Sequence, residues 1–540
     1  MSFAWWLSFF VGFLSLSQEI LFVRLISFAQ GGTPPAFAIV LTLYLLGIAL
    51  GAAVGKVLCA RTGSNLYAVA TIVLLLAAAT DPLAPLLGQH IGLQSGMPGA
   101  EAAFNAFVTV GLVVGAAAIK SVLFPIAHHL GSQSTGPRVG SSVSRIYFGN
   151  ILGSTLGPVV TGYFLLDWLS IDHCFLFIGG GCLVLALACA WRAGPARHMH
   201  AALALGSCAL LATALANQSG GFVQRTAKRD LLPPAGQAAP SRIAHVIENR
   251  HGIIHTVEQS AELGDIVYGG NMFDGRISVD TRHDSNGINR VYLLAGLHPA
   301  PARILVIGYS GGAWTEAASG FAGVERIDAI DINEGYRQLV GRYEQVAPLL
   351  RDRRVHLHTD DGRRWLKRHP NERYDLIIVN NTQHVRSYSS SLLSQEFFAE
   401  ARRHLKARGI LAVNATGSLD VALTALRSSP HSYRHASFIL ISDHDIRPSA
   451  EAARARYTAM QLRHHAPLTD ADFGPGGAGT RLVTMATGLK PVSELFIAGN
   501  GPARVITDNN LVIEFRHGQR LDMPPLRWLL PARESSHIVD

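Results

Sequence analysis

The residues best placed to do chemistry stand in the second half of the chain. The run ARILVIGYSGGAWTEAAS (302–319) sets a buried apolar strand against a glycine-rich turn and the start of a helix. RIDAIDINEGYRQLV (326–340) follows as a second strand that ends on Asp331 and opens another helix. This is the order of a nucleotide-binding crossover. Main-chain amides of Gly308, Ser310, Gly311 and Gly312 would lie against an adenosine or methionine moiety. Asp331, about 20 residues past the turn, is placed to accept hydrogen bonds from ribose hydroxyls. On these residues alone a dinucleotide fits as well.

The elements that must position that turn follow from the pattern around it. Short apolar strands at 355–359, 374–380, 409–415 and 438–442, with helical stretches between them, predict a mostly parallel sheet covered on both faces. Ligands of such sheets bind at the carboxyl ends of the strands. That rule gathers Asp331, Asp360 or Asp361 and the loop 380–390 around one crevice. Ahead of it, residues 243–280 alternate in short runs and read as a small antiparallel sheet. The Asp-Gly pair at 274 and the Asn-Gly pair at 286 are hairpin signals, and turn chemistry is the better reading of Asp274.

The first part of the chain is of another kind. Of 540 residues 49% are hydrophobic and only 16% charged, and the excess is concentrated there. Apolar runs at 4–28, 36–58, 66–88, 104–127, 143–166 and 173–192 are each long enough to cross a hydrocarbon layer of about 30 Å. A seventh, 199–216, is marginal because Gly206, Ser207 and Thr213 dilute its leucines. Gly47, Gly51 and Gly55, and again Gly149, Gly153 and Gly157, recur at spacing four and give small faces for helix contact. Glu19 and Arg24 in the first run read as a helix-pairing contact or as snorkelling side chains.

Lys56, Arg61, Arg138, Arg145, Arg192 and Arg197 fall in alternate loops and mark the cytoplasmic side, whereas the loops around 81–101 and 167–172 carry no basic residue. Six crossings keep the polar part inside and a seventh would put it outside; the inside, cytoplasmic placement in a multi-pass cell (inner) membrane protein is the expectation. No small-residue cleavage pattern follows the first run, so it stays as an anchor.

The net charge of +8 comes without a basic run interleaved with aromatics, which argues against nucleic acid. The five cysteines all fall in apolar runs without histidine partners, and no metal site is expected. The organisation predicted is a helical domain over 1–216 with six or seven helices, a linker over 217–240, a small antiparallel β subdomain over 241–300, and a Rossmann-like domain over 301–540.

With these motifs in order, the chain resembles the spermidine synthase family of aminopropyltransferases, in its membrane-fused branch. The resemblance rests on ENRHGII, YGGNMFDGR, LVIGYSGG, IDAIDIN, DDGRRWL, YDLIIVNNTQH and LLSQEFF over about 243–420, with a looser echo in ITDNNLVIEF at 506–515. It implies an α-helical transmembrane bundle plus an α/β Rossmann-like domain of methyltransferase or spermidine synthase type. It implies S-adenosylmethionine or its decarboxylated form as co-substrate, Asp331 as ribose ligand and Asp361 with Gly362 as the pair holding the adenine.

In the family the strand matching LIIVN runs into carboxylates that hold the incoming amine and take its proton. Here Asn380, Asn381, Thr382, Gln383 and His384 stand in their place. Asn380 and Gln383 can orient a substrate but neither balance a charge nor act as base. His384, with an ordinary pKa of about 6.5, is the candidate base. His251, Asp274, Asp284, Asn286 and Tyr292 occupy positions where the family gathers substrate contacts, with turn chemistry the better reading of Asp274. Tyr309 and Ser310 stand where the family prefers glycine.

The leading expectation is a membrane-bound transferase that alkylates an amine or a lipid-like, membrane-associated acceptor, and it leaves room for a homodimer. The group moved, aminopropyl, aminocarboxypropyl or methyl, stays open, so an S-adenosylmethionine-dependent methyltransferase is one alternative. The other is a non-catalytic sensor or transporter that binds an adenosyl metabolite or a polyamine. A nicotinamide dehydrogenase sits badly with DDGRRWL and LLSQEFF.

Overall fold

Glycines at spacing four set the helix contacts of the first part of the chain, as the sequence suggests. In the computed structural model a β-carbon on Gly47 or Gly55 would stand 2.6 Å from the carbonyl oxygen of Val114 or Val122, and one on Gly51 would overlap that of Ala118. Helix Pro35–Ala60 therefore lies backbone to backbone against helix Gly99–Ser121. Gly153 and Gly157 do the same for helix Val139–Val160 against the carbonyls of Phe9 and Phe13 in helix Phe3–Ala29.

The structure describes residues 2–61, 65–91, 99–132, 139–194, 197–218, 221–230, 242–381, 383–462, 466–497, 503–510, 512–517 and 520–521. The chain divides into two units, 1–241 with 248–253, and 242–247 with 254–540.

Six described helical stretches of the first unit are long and apolar enough to cross a membrane: Phe3–Ala29, Pro35–Ala60, Leu66–Leu86, Ala103–Ser132, Ile171–Ala193 and His200–Asn217. The set differs from the expected one. The marginal 199–216 qualifies, and 143–166, although helical, does not. Helix Val139–Val160 carries serines, Arg145, Asn150 and Pro158, and runs on through a π turn at Thr161–Leu165. Its polar groups serve packing: Asn150 Nδ2 donates to the carbonyl of Ser8 at 3.1 Å, and Ser8 Oγ to that of Ile146 at 3.1 Å. Arg138, counted above among the cytoplasmic markers, lies outside the described residues.

Asp81 stands in the turn after helix Leu66–Thr80 but is not solvent-facing. It is 1% exposed and meets Lys120, also 1% exposed, whose Nζ donates to both carboxylate oxygens at 2.6 and 2.7 Å. Gln18 closes the cluster, donating from Nε2 to Asp81 at 2.6 Å and accepting from Lys120 at 2.8 Å. The expected linker, 217–240, contains a helix, Phe222–Asp230. Phe222 is buried, its amide donates to Asp172, and Arg225 pairs with the same carboxylate at 3.1 Å. Residues 231–240 lie outside the described residues.

A four-stranded sheet runs in the order β1 (Ile243–Asn249), β2 (Gly252–Val257), β3 (Ile266–Gly269), β4 (Met272–Arg276). The larger sheet has eight strands. They are β5 (Arg303–Ile307), β6 (Arg326–Asp331), β7 (Val355–Thr359), β8 (Tyr374–Val379), β9 (Leu405–Asn414), β10 (Ser432–His435), β11 (Phe438–Ile441) and β12 (Lys490–Pro491). Their order is β12-β10-β11-β9-β8-β5-β6-β7. From β9 through β8, β5 and β6 to β7 the pairing is parallel, while β11, β10 and β12 add an antiparallel edge.

Both faces of the parallel part are covered. Ile304 and Val306 of β5 belong to one apolar cluster, Leu305 and Ile307 to the other. β8 divides likewise, with Leu376 and Ile378 on one side and Ile377 and Val379 on the other. A period of two with every residue apolar is what a doubly covered strand requires, and it fixes where the carboxyl ends of β5, β6 and β8 stand.

Candidate active site

The turn after β5 is held open by backbone geometry. Gly308, Ser310 and Gly312 have φ of 81°, 48° and 88°, a left-handed run that two glycines make affordable. A β-carbon on Gly308 would stand 2.8 Å from the carbonyl of Asn380 at the end of β8, so the two strand ends close on each other only through glycine. The Ser310 amide donates to Asp331 Oδ2 at 3.0 Å and the Asn333 amide to Oδ1 at 3.1 Å. Asp331 is 7% exposed. Burial pushes its carboxyl up to about 7, against the two amide bonds that pull it down, and neighbouring Asp274 pushes it further up.

Asp274 is the hub of the site rather than a turn residue. It belongs to β4 and is 8% exposed. Its Oδ2 accepts from Ser310 Oγ at 2.9 Å and from the Tyr336 hydroxyl, and Arg386 Nη1 approaches Oδ1 at 3.5 Å. Burial and the Asp274 charge together hold the Tyr336 phenol well above its ordinary range, so it stays a donor. Arg386 also donates to the carbonyl of Gly269. A β-carbon on Gly269 would overlap the Tyr336 hydroxyl and come within 3.0 Å of Arg386 Nη2, which ties the YGG motif to this hub.

A cleft opens beside the turn, lined among others by Asp274, Arg276, Arg290, Ser310, Trp314 and Asn380. Of the residues singled out from sequence, Asp274, Asn286, Tyr309, Ser310, Gly311 and Asn380 line it. Asn286 spends its amide on the main chain, accepting from the Arg276 amide at 2.8 Å and donating to the Arg276 carbonyl at 2.9 Å.

The others stand elsewhere. Asp361 caps helix Gly362–Arg368 by accepting from the Arg364 amide at 2.7 Å, and Gly362 packs its backbone on Ile307 at the end of β5. Asp284 accepts from the Asn289 amide at 2.9 Å, and the buried Tyr292 donates to the carbonyl of Val279 at 2.9 Å. His251 is an exposed residue of the turn between β1 and β2. His384 Nδ1 lies 2.6 Å from Thr416 Oγ1, and neither it nor Gln383 lines the cleft. Thr382 lies outside the described residues.

Tyr336, Arg386, Arg276 and Arg290 are among the cleft or hub residues that were not singled out from sequence. Tyr336 and Arg386 stand 62 and 112 positions from Asp274. Only the tyrosine one turn past the second strand offered a trace of this arrangement.

The family model for the spermine/spermidine synthase domain matches residues 291–439. This part of the chain is a spermidine synthase domain. The polyamine aminopropyltransferase of Agathobacter rectalis is 33% identical over 116 residues, covering 21% of this chain and 40% of that protein. That of Saccharolobus solfataricus is 27% identical over 177 residues, 31% of this chain and 58% of that protein. The chain thus spans about half the length of the curated relatives it matches. The solved spermidine synthase of Thermotoga maritima has a TM-score of 0.32 at 16% identity, over 38% of this chain and 73% of that one. The spermidine synthase domain here is accompanied by the six long apolar helices described above.

Proposed function

We propose that the chain is a membrane-embedded transferase that takes an alkyl group from S-adenosylmethionine or its decarboxylated form and passes it to an amine or lipid-like acceptor. The observation that carries the reading is Asp331, a buried carboxylate at the carboxyl end of β6 held against the left-handed turn by the Ser310 amide. Asp331 would take the ribose hydroxyls, and the amides of the turn would face the rest of the nucleoside.

Such a donor supplies a sulfonium carbon open to in-line attack. The lone pair of the acceptor forms the new bond, the carbon–sulfur pair returns to sulfur as a neutral thioether, and the acceptor's proton passes to water. Orientation counts for more than base strength in this displacement. That suits a loop whose cleft residue is Asn380.

Membrane embedding is supported by the outer face of helix Pro35–Ala60, where Phe37, Leu45, Leu50, Val54 and Val57 are each at least half exposed. A stripe of that kind is costly in water and at home in lipid. We place the transferase domain on the cytoplasmic side, where adenosyl donors are made.

Turnover of labelled donor by the purified full chain tests the reading. Release of the corresponding thioether nucleoside, lost in Asp331→Ala, is the expected result. A wild-type chain that binds neither donor form nor methylthioadenosine would overturn it.

A further inference from the structure

The cleft beside the glycine turn has the wrong charge for a polyamine. Among the described residues its one lining carboxylate, Asp274, is engaged by the Ser310 and Tyr336 hydroxyls and faces Arg386. Arg276 and Arg290 line the same space together with Asn380 and Asn414.

Arg290 is built in rather than dangling. Its Nε donates to the Gly287 carbonyl at 3.0 Å and its Nη1 to Ser437 Oγ at 3.2 Å, and its guanidinium lies 5.4 Å over the Trp314 ring. Arg276 is fixed at its backbone by the two-point clamp of Asn286, and its Nη1 donates to the Gly264 carbonyl at 3.3 Å. Asp284 also feels the charge of Arg290, but it is turned to the Asn289 amide and lines no part of the cleft. Arginine suits a planar, two-oxygen anion, and a multiply charged amine would meet two positive charges there.

We propose that Arg276 and Arg290 form a carboxylate subsite next to the nucleoside site, so that the substrate carrying a carboxylate, not the fully cationic one, is accepted. The proposal deepens the transferase reading and rests on it for the neighbouring nucleoside. The carboxylate has two sources, the intact adenosylmethionine donor or an amino-acid acceptor.

Calorimetry on the full chain in detergent separates them. Methylthioadenosine, which has neither carboxylate nor amine, reports the nucleoside site alone. If the donor supplies the carboxylate, adenosylmethionine binds at least about tenfold tighter than its decarboxylated form. Arg290→Gln and Arg276→Gln then erase the preference and leave methylthioadenosine binding unchanged, and Arg290→Lys keeps part of it. If the acceptor supplies it, the two donors bind alike, and an α-amino acid from a panel titrated against the chain binds in an Arg290-dependent way.

Equal or tighter binding of the decarboxylated donor, with putrescine bound and no amino acid bound, overturns the subsite. Absence of methylthioadenosine binding overturns the transferase reading instead. The amino-acid titration still reads the arginines, because it needs no nucleoside.

Discussion

Charged side chains are buried in both units, and they are used in opposite ways. In the helical unit Lys120, Asp81 and Gln18 close on one another: the ammonium meets both carboxylate oxygens and the amide joins the two. In the α/β unit Asp274, Asp331, Tyr336 and Arg386 surround a turn that opens on a cleft. A closed cluster cancels its own charge and specifies packing, whereas an open one leaves charge facing a space where a ligand can complete it. Whether polar groups leave such a space separates a structural from a functional constellation better than burial does.

The largest expected effect comes from unbalancing the closed cluster. Lys120→Met alone leaves Asp81 uncompensated and should cost about 3–5 kcal/mol in detergent unfolding of the full chain. The double variant Lys120→Met with Asp81→Leu should recover most of that loss, since an apolar pair replaces a buried ion pair at little cost. A double variant no better than the single one would show that the pair does more than cancel. The corresponding swap at the open cluster, Arg386→Met with Asp274→Leu, should abolish methylthioadenosine binding however well the chain folds.

Next in size is Asp331→Ala, which removes a charged hydrogen-bond acceptor worth about 1.5–3 kcal/mol. Methylthioadenosine affinity should fall tenfold or more. Gly269→Ala is expected to cost about 1–3 kcal/mol, because its methyl group displaces Tyr336 from Asp274. Unfolding that matches the wild type would mean that the hub yields without strain.

A further effect is on pH. The Asp331 carboxyl ordinarily titrates near 4, and burial pushes it up to about 7 in the folded chain. The folded chain therefore holds this proton between about pH 4 and 7. The stability this group contributes is present below about pH 4 and is lost as pH rises through 7. Nucleoside binding, which needs the carboxylate, moves the other way and should strengthen between pH 6 and 8. Calorimetry at pH 6, 7 and 8, with Asp331→Ala as the flat control, checks the sign.

What the sequence disclosed follows from the range of each interaction. β5, its turn and β6 were legible because period-two apolar runs and a glycine-rich turn are local, and Asp331 came with them. Asp274 was misread because Asp-Gly is a local hairpin signal. Here it sits inside β4 with Gly275 at φ 107°, while the chain reverses at Gly270 and Asn271. Arg290 was passed over because its partners at 414 and 437 arrive with β9 and the turn after β10, elements that no local pattern joins to residue 290. Lys120 and Asp81 were each visible as charges near apolar runs, yet their pairing spans 39 positions. In the helical part a count of apolar residues ranked 143–166 above 199–216. The polar groups of helix Val139–Val160 are those that grip helix Phe3–Ala29, and they are also what lowers its hydropathy.

The central claim, that the left-handed turn and Asp331 form an adenosyl site, is tested most directly by titrating methylthioadenosine into the full chain and into Asp331→Ala at pH 8. Saturable binding by the wild type that weakens at least tenfold in the variant is the predicted result. Binding of equal strength in both, or in neither, would contradict it.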